Sequence, residues 1–342
     1  MNRRAFISGV GTTAGGALAA SCARDKRERL NVFNWSSYID PEMIAAFERE
    51  RGVRIRYGTY ESNEEMLAKI ITGNSGWDVV FPTHSRLGPM AAHGLIAPLD
   101  HRRLPLLTNL DTRFARPAWD PALRLGIPYM WNATGIVYNR RHAPPATGWG
   151  ALWNPALRGR LTMLDDPEDA IGAGLLKLQL PFMSTDDRQL GAARASLIEQ
   201  KRLLRAYINA EVRDQLVAGD VITAQLWSTT SAQAIRANPG LAFVYPAEGF
   251  PLYCDCAVIL AESGRYDLAH EFLNYLLRPE VADANARAAE TATANGAAQK
   301  LLPHDPVLYP ADSDYARGIW PTALPSAAQR YRDRIWTEIK AA

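Results

Sequence analysis

A chain of 342 residues, 47% of them hydrophobic, can bury the cores of two lobes of ordinary domain size. Its 38 basic and 36 acidic residues leave a net charge of +2, which argues against a nucleic-acid partner, because phosphate binding leaves a basic footprint. No run of the roughly 20 strongly apolar residues that a spanning helix needs is present.

The N terminus reads as an address label. Asn2-Arg3-Arg4-Ala5-Phe6-Ile7 precedes a soft Gly/Ala/Thr-rich run from Gly9 to Ala20, then Leu18-Ala19-Ala20-Ser21-Cys22. A basic start, a short apolar stretch and small residues before a cut are the anatomy of a signal peptide, here residues 1–21. Arg3-Arg4 with Phe6 resembles a twin-arginine export signal. The small residues before Cys22 resemble a lipobox, with Ala19 where Leu is commonest. The expectation is a protein lipidated on Cys22 and held in the periplasm or at the outer face of the cytoplasmic membrane by its anchor only. The alternative is an ordinary cleaved signal with an incidental cysteine. Without Arg3 and Arg4, basic and acidic residues are level at 36 each.

In the first part of the mature chain strand and helix alternate. Leu30 to Trp35 suits a strand, and Asp40-Pro41 caps a helix through Met43, Ile44 and Phe47 that ends at Gly52. Val53 to Tyr57 alternates like a half-exposed strand. Ser62-Asn63-Glu64-Glu65 is a capping box for a helix through Met66, Leu67, Ile70 and Ile71. Trp77 to Pro82 reads as a buried strand. This β-α-β-α-β order predicts a parallel sheet with right-handed crossovers. Ligands of such sheets sit beyond the carboxyl ends of the strands, where Trp35-Ser36-Ser37-Tyr38 and Thr83-His84-Ser85 fall. His84 is expected to be a solvated loop residue.

A second unit begins near residue 134. Gly135 to Tyr138 is strand-like, and Leu161 to Leu164 leads through Asp165-Asp166-Pro167-Glu168-Asp169 into a helix reaching Leu180. Helices are predicted over 187–205 and 211–218, strands over Val221–Trp227, Leu241–Tyr245 and Leu252–Leu260. Further helices follow near 265–277 and 280–289, and the last starts at about Ser326. Cys254 and Cys256 flank Asp255, so on a strand both point away from it. Buried free thiols are expected there, since residues two apart on one strand lie near the limit of disulfide reach. No His or Cys nearby could complete a metal site, and no cofactor is predicted.

At Asn34-Trp35-Ser36-Ser37-Tyr38-Ile39 the sequence is similar to the N-W-[ST]-[DE]-Y motif of periplasmic spermidine- and putrescine-binding proteins. The likeness continues through Tyr60-Glu61-Ser62-Asn63-Glu64, Trp77 to Pro82, Pro128 to Gly135, Leu164 to Asp169, Pro246 to Gly249 and Glu271 to Pro279. It covers essentially the whole mature chain, in order. The resemblance implies an α/β, type II-like periplasmic-binding-protein fold, with a ligand cleft between two lobes joined by hinge strands. Lobe 1 would be residues 28–133 plus 256–300 and lobe 2 residues 134–255, with residues 301–342 packing across the lobes. It further implies a monomeric substrate-binding component of an ABC importer, which captures a putrescine- or spermidine-like cation and delivers it to the permease subunits.

A polyamine is two or three ammonium groups on methylene spacers. Its capture needs carboxylates at a fixed separation and aromatic faces for the chain between them. The resemblance places Asp255 as the anchor of a primary ammonium, Asp169 as a second carboxylate and Asp166 as its neighbour. A lone Asp inside Tyr253-Cys254-Asp255-Cys256-Ala257-Val258 would in any case be costly to bury without a purpose. Asp166 to Asp169 is equally a helix start with its own capping residues. Trp35, Tyr38, Trp227 and Tyr253 align with the family's aromatic box. Ser36, Thr83 and Ser85 add hydroxyls, although ordinary loop polarity explains the last two nearly as well.

The departures bear on specificity. Ser37 stands where relatives carry Asp or Glu, Thr291 where they carry Tyr, and Pro321 in place of a polar residue in one branch. A monocation, or an amino compound with a polar tail, thereby becomes an alternative ligand. A sensory protein presenting its loaded form to a membrane receptor is an alternative role. There is no G-x-S-x-G, G-x-x-x-x-G-K-[ST], H-E-x-x-H or C-x-x-C, so no enzyme is predicted.

Overall fold

The structure, a computed structural model, describes residues 27–342; the predicted leader and Cys22 lie outside the described residues. The strands are β1 (Arg29–Trp35), β2 (Arg54–Tyr60), β3 (Val79–Val80), β4 (Ile127–Asn139), β5 (Leu161–Met163) and β6 (Leu204–Tyr207). They continue with β7 (Thr223–Trp227), β8 (Leu241–Val244), β9 (Phe250–Ile259), β10 (Ala292–Thr293) and β11 (Gly318–Ile319). The main path of the sheet runs β2-β1-β3-β9-β4-β7-β5-β6.

The order of strands and helices in the N-terminal unit is the one its sequence predicts. Strand β1 pairs parallel with both β2 and β3. Helix α1 (Pro41–Arg51) is capped by Asp40, which accepts a bond from the Glu42 N–H, and stops at Gly52 in the left-handed region. Helix α2 (Asn63–Ile70) opens on Ser62, whose hydroxyl accepts from the Glu65 N–H. A short α3 (Leu87–Ala92) follows.

Two long strands join this unit to the next. β4 is thirteen residues of mainly aromatic and β-branched character, buried along almost its whole length. Its first half pairs antiparallel with β9, from Ile127↔Ala257 to Ala133↔Leu252. Its second half turns to β7 and β8. The other edge of β9 pairs with β3. The chain therefore crosses between the units along β4 and returns along β9, giving two α/β lobes joined by two strands.

Helix α4 (Pro167–Lys177) follows β5, and α5 (Asp187–Lys201) packs against it. Gly172 in α4 faces the buried Phe182 ring so closely that an added Cβ would overlap three ring carbons. Alanine gains up to about 1 kcal/mol over glycine inside a helix, whereas overpacking a core costs about 1–3 kcal/mol. Overpacking wins here. Gly172→Ala is expected to lower stability by about 1–2 kcal/mol, read as a lower urea midpoint at unchanged slope.

Two predicted elements need correction and one helix was not predicted. The helix over 187–205 ends at Lys201, and Leu204–Tyr207 forms β6 alongside β5. Leu, Arg and Ala favour helix, but the open edge of β5 gives this segment's backbone groups partners that local propensity cannot reveal. The Trp77–Pro82 strand shortens to Val79–Val80, because Pro82 has no N–H to donate to a ladder. After α6 (Val212–Ala218), α7 (Ser228–Ala237) has no counterpart in the predicted elements. It begins with hydroxyl residues that compete with helical bonding, and is held by burying Ser228, Thr230, Ser231, Ala232 and Ala234.

The remaining helices are α8 (Tyr266–Leu276), α9 (Pro279–Ala289), α10 (Gly296–Gln299), α11 (Asp312–Tyr315) and α12 (Ser326–Ala341). β11 pairs with β9 at Phe250 and Pro251, and α12 lies on α4 and α5. Among the described residues no helix is long and apolar enough to cross a membrane.

Candidate functional site

Strand β9 organises the site. Tyr253 and Asp255 are two apart on it and share a face, about 6.6 Å apart along the strand, while Cys254 and Cys256 face away and are buried free thiols. Asp255 forms an isolated antiparallel bridge with Thr83. The Thr83 hydroxyl donates to the Asp255 carboxylate at 2.9 Å, and Asn63 fixes Thr83 in turn: its side-chain amide donates to that hydroxyl at 3.0 Å and accepts from the Thr83 N–H at 3.1 Å.

Around Asp255 stand aromatic side chains from the carboxyl ends of β1 and β2. The Trp35 indole and the Tyr60 hydroxyl both donate to the Phe81 carbonyl at 2.7 Å, with their rings 4.8 Å apart. Tyr38 lies 6.4 Å from Trp35 ring to ring, and its carbonyl accepts the Tyr129 hydroxyl at 2.6 Å. Trp35 and Tyr38 are half-buried, leaving part of each face available. Ser37 is exposed with φ 58°, and the neighbouring Ser36 hydroxyl bonds to the Glu61 carboxylate.

The second cluster gathers at the start of α4. Asp166 caps the helix, accepting from the N–H groups of Glu168 at 2.8 Å and Asp169 at 3.0 Å. Asp169 is 2% exposed. Its carboxylate accepts the Trp227 indole and the Tyr253 hydroxyl, each at 3.3 Å, and its carbonyl accepts Gln225 at 2.8 Å. The helix N-terminus favours negative charge here, yet three carboxyl groups share one turn.

Electrostatics show what the arrangement lacks. Burial pushes Asp255 up to about 7, against the pull of the Thr83 and Tyr38 hydroxyls. Burial first, and the Asp166 charge second, raise Asp169 well above the carboxylate range and bring Glu168 to about 7. Asp166 is itself raised by burial. Arg86, paired with Glu64 at 3.0 Å, pulls Asp166 and Glu168 part of the way back down. Carboxyl groups so placed take up either protons or a desolvated cation.

The structure thus brings Trp35, Tyr38, Thr83 and Asp255 into one cluster and Asp166, Asp169, Trp227 and Tyr253 into another, linked through the Tyr253–Asp255 face of β9. Ser36 and Ser37 border the first cluster, and Ser85 sits half-buried on the 3₁₀ turn His84–Arg86. Thr291 is buried and shares a 2.6 Å hydroxyl contact with Thr229. Sequence reasoning did not single out Glu168, which stands in the same acidic run and joins this carboxyl cluster. It also missed the supports Asn63, Tyr60 and Tyr129. His84 corrects the expectation of a solvated loop residue: it is 1% exposed, and burial lowers its imidazole to about 4.

Residues 42–314 match the model of the bacterial extracellular solute-binding proteins. The chain is 31% identical to the spermidine/putrescine-binding periplasmic protein of Escherichia coli K12 over 338 residues, covering 96% of this chain and 97% of that one. Its fold matches the spermidine/putrescine ABC transporter substrate-binding protein of Streptococcus pneumoniae, solved with calcium and HEPES, at a TM-score of 0.84 and 28% identity. That match covers 92% of this chain and 99% of the other. A lipoprotein of Treponema pallidum matches at a TM-score of 0.83 and 25% identity, covering 91% and 99%.

Proposed function

Because the chain belongs to the bacterial extracellular solute-binding protein family, we propose that it captures a polyamine-like cation between its lobes and delivers it to the permease of an ABC importer. It is a binding protein and not an enzyme. The observation that carries the ligand assignment is the shared face of β9. Asp255 presents a carboxylate at one end of that face, and Tyr253 reaches Asp169 at the other. Ammonium groups at the two ends of a short methylene chain would neutralise these otherwise over-protonated carboxyls. The half-buried rings of Trp35, Tyr38, Trp227 and Tyr253 would hold the chain between them, each cation–ring contact adding about 0.5–2 kcal/mol.

The residues assigned to the ligand are Trp35, Tyr38, Thr83, Asp169, Trp227, Tyr253 and Asp255, with Asp166 and Glu168 setting the charge at the α4 end. Ser36, Ser37 and Ser85 are assigned to the rim. Residues 28–133 with 256–300 would move against 134–255 about the β4 and β9 crossings, closing over the ligand. Residues 301–342 would bridge the two, a reading supported by the pairing of β11 with β9 and the packing of α12 on α4 and α5. The mature protein is read as a monomer outside the cytoplasmic membrane, tethered through a lipid on Cys22. The lipobox-like run before Cys22 supports the tether, as does the likeness to a protein described as a lipoprotein.

Thermal unfolding of the protein starting after Cys22 tests the ligand class against putrescine, cadaverine, spermidine, spermine, agmatine and GABA at low salt. A ligand at 100 times its Kd stabilises by about 2.7 kcal/mol. The expected result is a clear rise in Tm with at least one dication or trication. Absence of a shift with all of them, in a folded protein, would sink the polyamine assignment.

A further inference from the structure

His84 occupies an unusual place in the ladder along β9. The even-numbered amides of β9 and the residue after it face β3 and the segments flanking it. Leu260 N–H donates to the Asp78 carbonyl at 2.9 Å, Val258 pairs with Val80, and Cys256 N–H donates to the Pro82 carbonyl at 2.9 Å. The next amide in this series is Cys254 N–H. Its partner in a continuing ladder would be a carbonyl at position 84, but there the chain turns away into the 3₁₀ turn His84–Arg86. Cys254 is wholly buried, so an unmet N–H would be a serious fault. The His84 ring supplies the missing acceptor: Cys254 N–H donates to Nδ1 at 3.3 Å.

The tautomer follows. A backbone N–H can only donate, so Nδ1 carries the lone pair and the proton sits on Nε2. Nε2 then donates to the Pro321 carbonyl at 2.9 Å. Trp119 and Trp320 hold the ring plane, with centroids 4.6 Å and 5.2 Å away. The residues on either side of these contacts belong to the ligand site: Thr83, directly before His84, bonds the Asp255 carboxylate, and Asp255 directly follows Cys254.

We propose that His84 is a positioning residue for the ligand carboxylate. Its imidazole replaces a backbone carbonyl at the end of the β9 ladder and so sets Asp255 against Thr83, while its far side ties the same point to the C-terminal segment at Pro321. The ligand arm of this inference rests on the polyamine reading given above; the placement of Asp255 does not.

The two ring nitrogens can be tested separately. Asn at this position offers an acceptor where Nδ1 stands and loses the link to Pro321. Gln reaches the Nε2 position and loses the acceptor for Cys254. H84N, H84Q and H84F are compared at a temperature where circular dichroism shows each to be folded. In the protein without ligand, the ¹³C carboxyl shift of Asp255 gives its titration midpoint, and hydrogen exchange gives the protection of the Cys254 amide. H84N should keep both near the parent values. H84Q and H84F should move the midpoint and speed Cys254 exchange about tenfold or more, the loss of one buried hydrogen bond. For putrescine and spermidine by calorimetry, Kd should stay within about threefold in H84N and rise about tenfold in H84Q.

An unmoved Asp255 midpoint in H84Q, or equal disturbance in H84N and H84Q, overturns the proposal. If the parent protein binds neither amine, the polyamine reading fails, while the midpoint and exchange measurements still decide the role of His84.

Discussion

Asp255→Asn should abolish amine capture while leaving the protein folded. Asp255 is 5% exposed, and its carboxyl is fixed by Thr83. An ammonium paired with it is desolvated, and removing one partner of a buried pair leaves the other uncompensated. The expected loss is about 3–4 kcal/mol, a factor of roughly a hundred to a thousand in Kd. Calorimetric titration with putrescine and spermidine reads it directly.

The same substitution acts in the opposite sense on the unliganded fold. Asn keeps an acceptor for the Thr83 hydroxyl and removes a carboxylate whose burial is unfavourable, so at pH 8 the unliganded D255N protein should unfold at higher urea than the parent. Asp169→Asn should weaken binding less, because Asp166 and Glu168 remain on the same turn. Unchanged affinity in D255N would remove Asp255 from the site. Lower stability together with lower affinity would mark it as structural.

Amine affinity should rise steeply with pH up to about neutrality. Burial holds Asp255 near 7 in the unliganded protein, and burial with the Asp166 charge holds Glu168 near 7. Alkylammonium groups stay charged across this range, as the lysine value of about 10.4 indicates. Below pH 7 each proton must leave before a cation can pair. One such carboxyl weakens binding about tenfold per pH unit, so between pH 8 and pH 5 the loss approaches a hundredfold per carboxyl. Calorimetry in buffers of different ionisation enthalpy should show proton release near one per carboxyl at pH 6 and little at pH 8.5.

Stability of the unliganded protein should move the other way. Asp255 titrates near 4 when unfolded and near 7 when folded, so between those values the native state holds the extra proton. Stability therefore falls as pH rises through that window, by on the order of 4 kcal/mol for Asp255. Adding ligand should flatten the fall. An affinity independent of pH from 5 to 8 would mean that these carboxyls do not face the amine.

Much of the N-terminal unit was legible because its signals are local. Asp40-Pro41, Gly52 and Ser62 act within one helical turn, and the half-exposed β2 follows from alternation over a few residues. Candidate site residues were legible in part: Asp255 stood out as a lone acid in an apolar strand, whereas resemblance singled out Asp169 and Asp166, which read equally as a helix start. Resemblance supplied the rest of the aromatic set, which no periodicity would have selected from core aromatics.

Other features depend on contacts distant in the chain. β6 exists because β5 offers it an edge, against the helical preference of Leu204-Arg205-Ala206. Helix α7 survives its hydroxyl-rich start because it is buried. Glu168 reads along the chain as an ordinary first-turn acid, and only its burial, beside Tyr253 from 85 residues further on, sets it apart. His84 looked like loop polarity, because its partners Cys254 and Pro321 lie 170 and 237 residues away. The sequence by itself determined the strand and helix punctuation of the first lobe, the free thiols opposite Asp255 and the isolation of that acid in an apolar strand, since each follows from spacing along one element, while resemblance supplied Asp169 and Asp166 as candidates. Only the tertiary structure decided which carboxyls crowd together, how far burial raises them, and which side chain completes the ladder beside Asp255. Desolvation and hydrogen-bond satisfaction belong to the packed surroundings of a group, and those are assembled from segments that the chain order keeps apart.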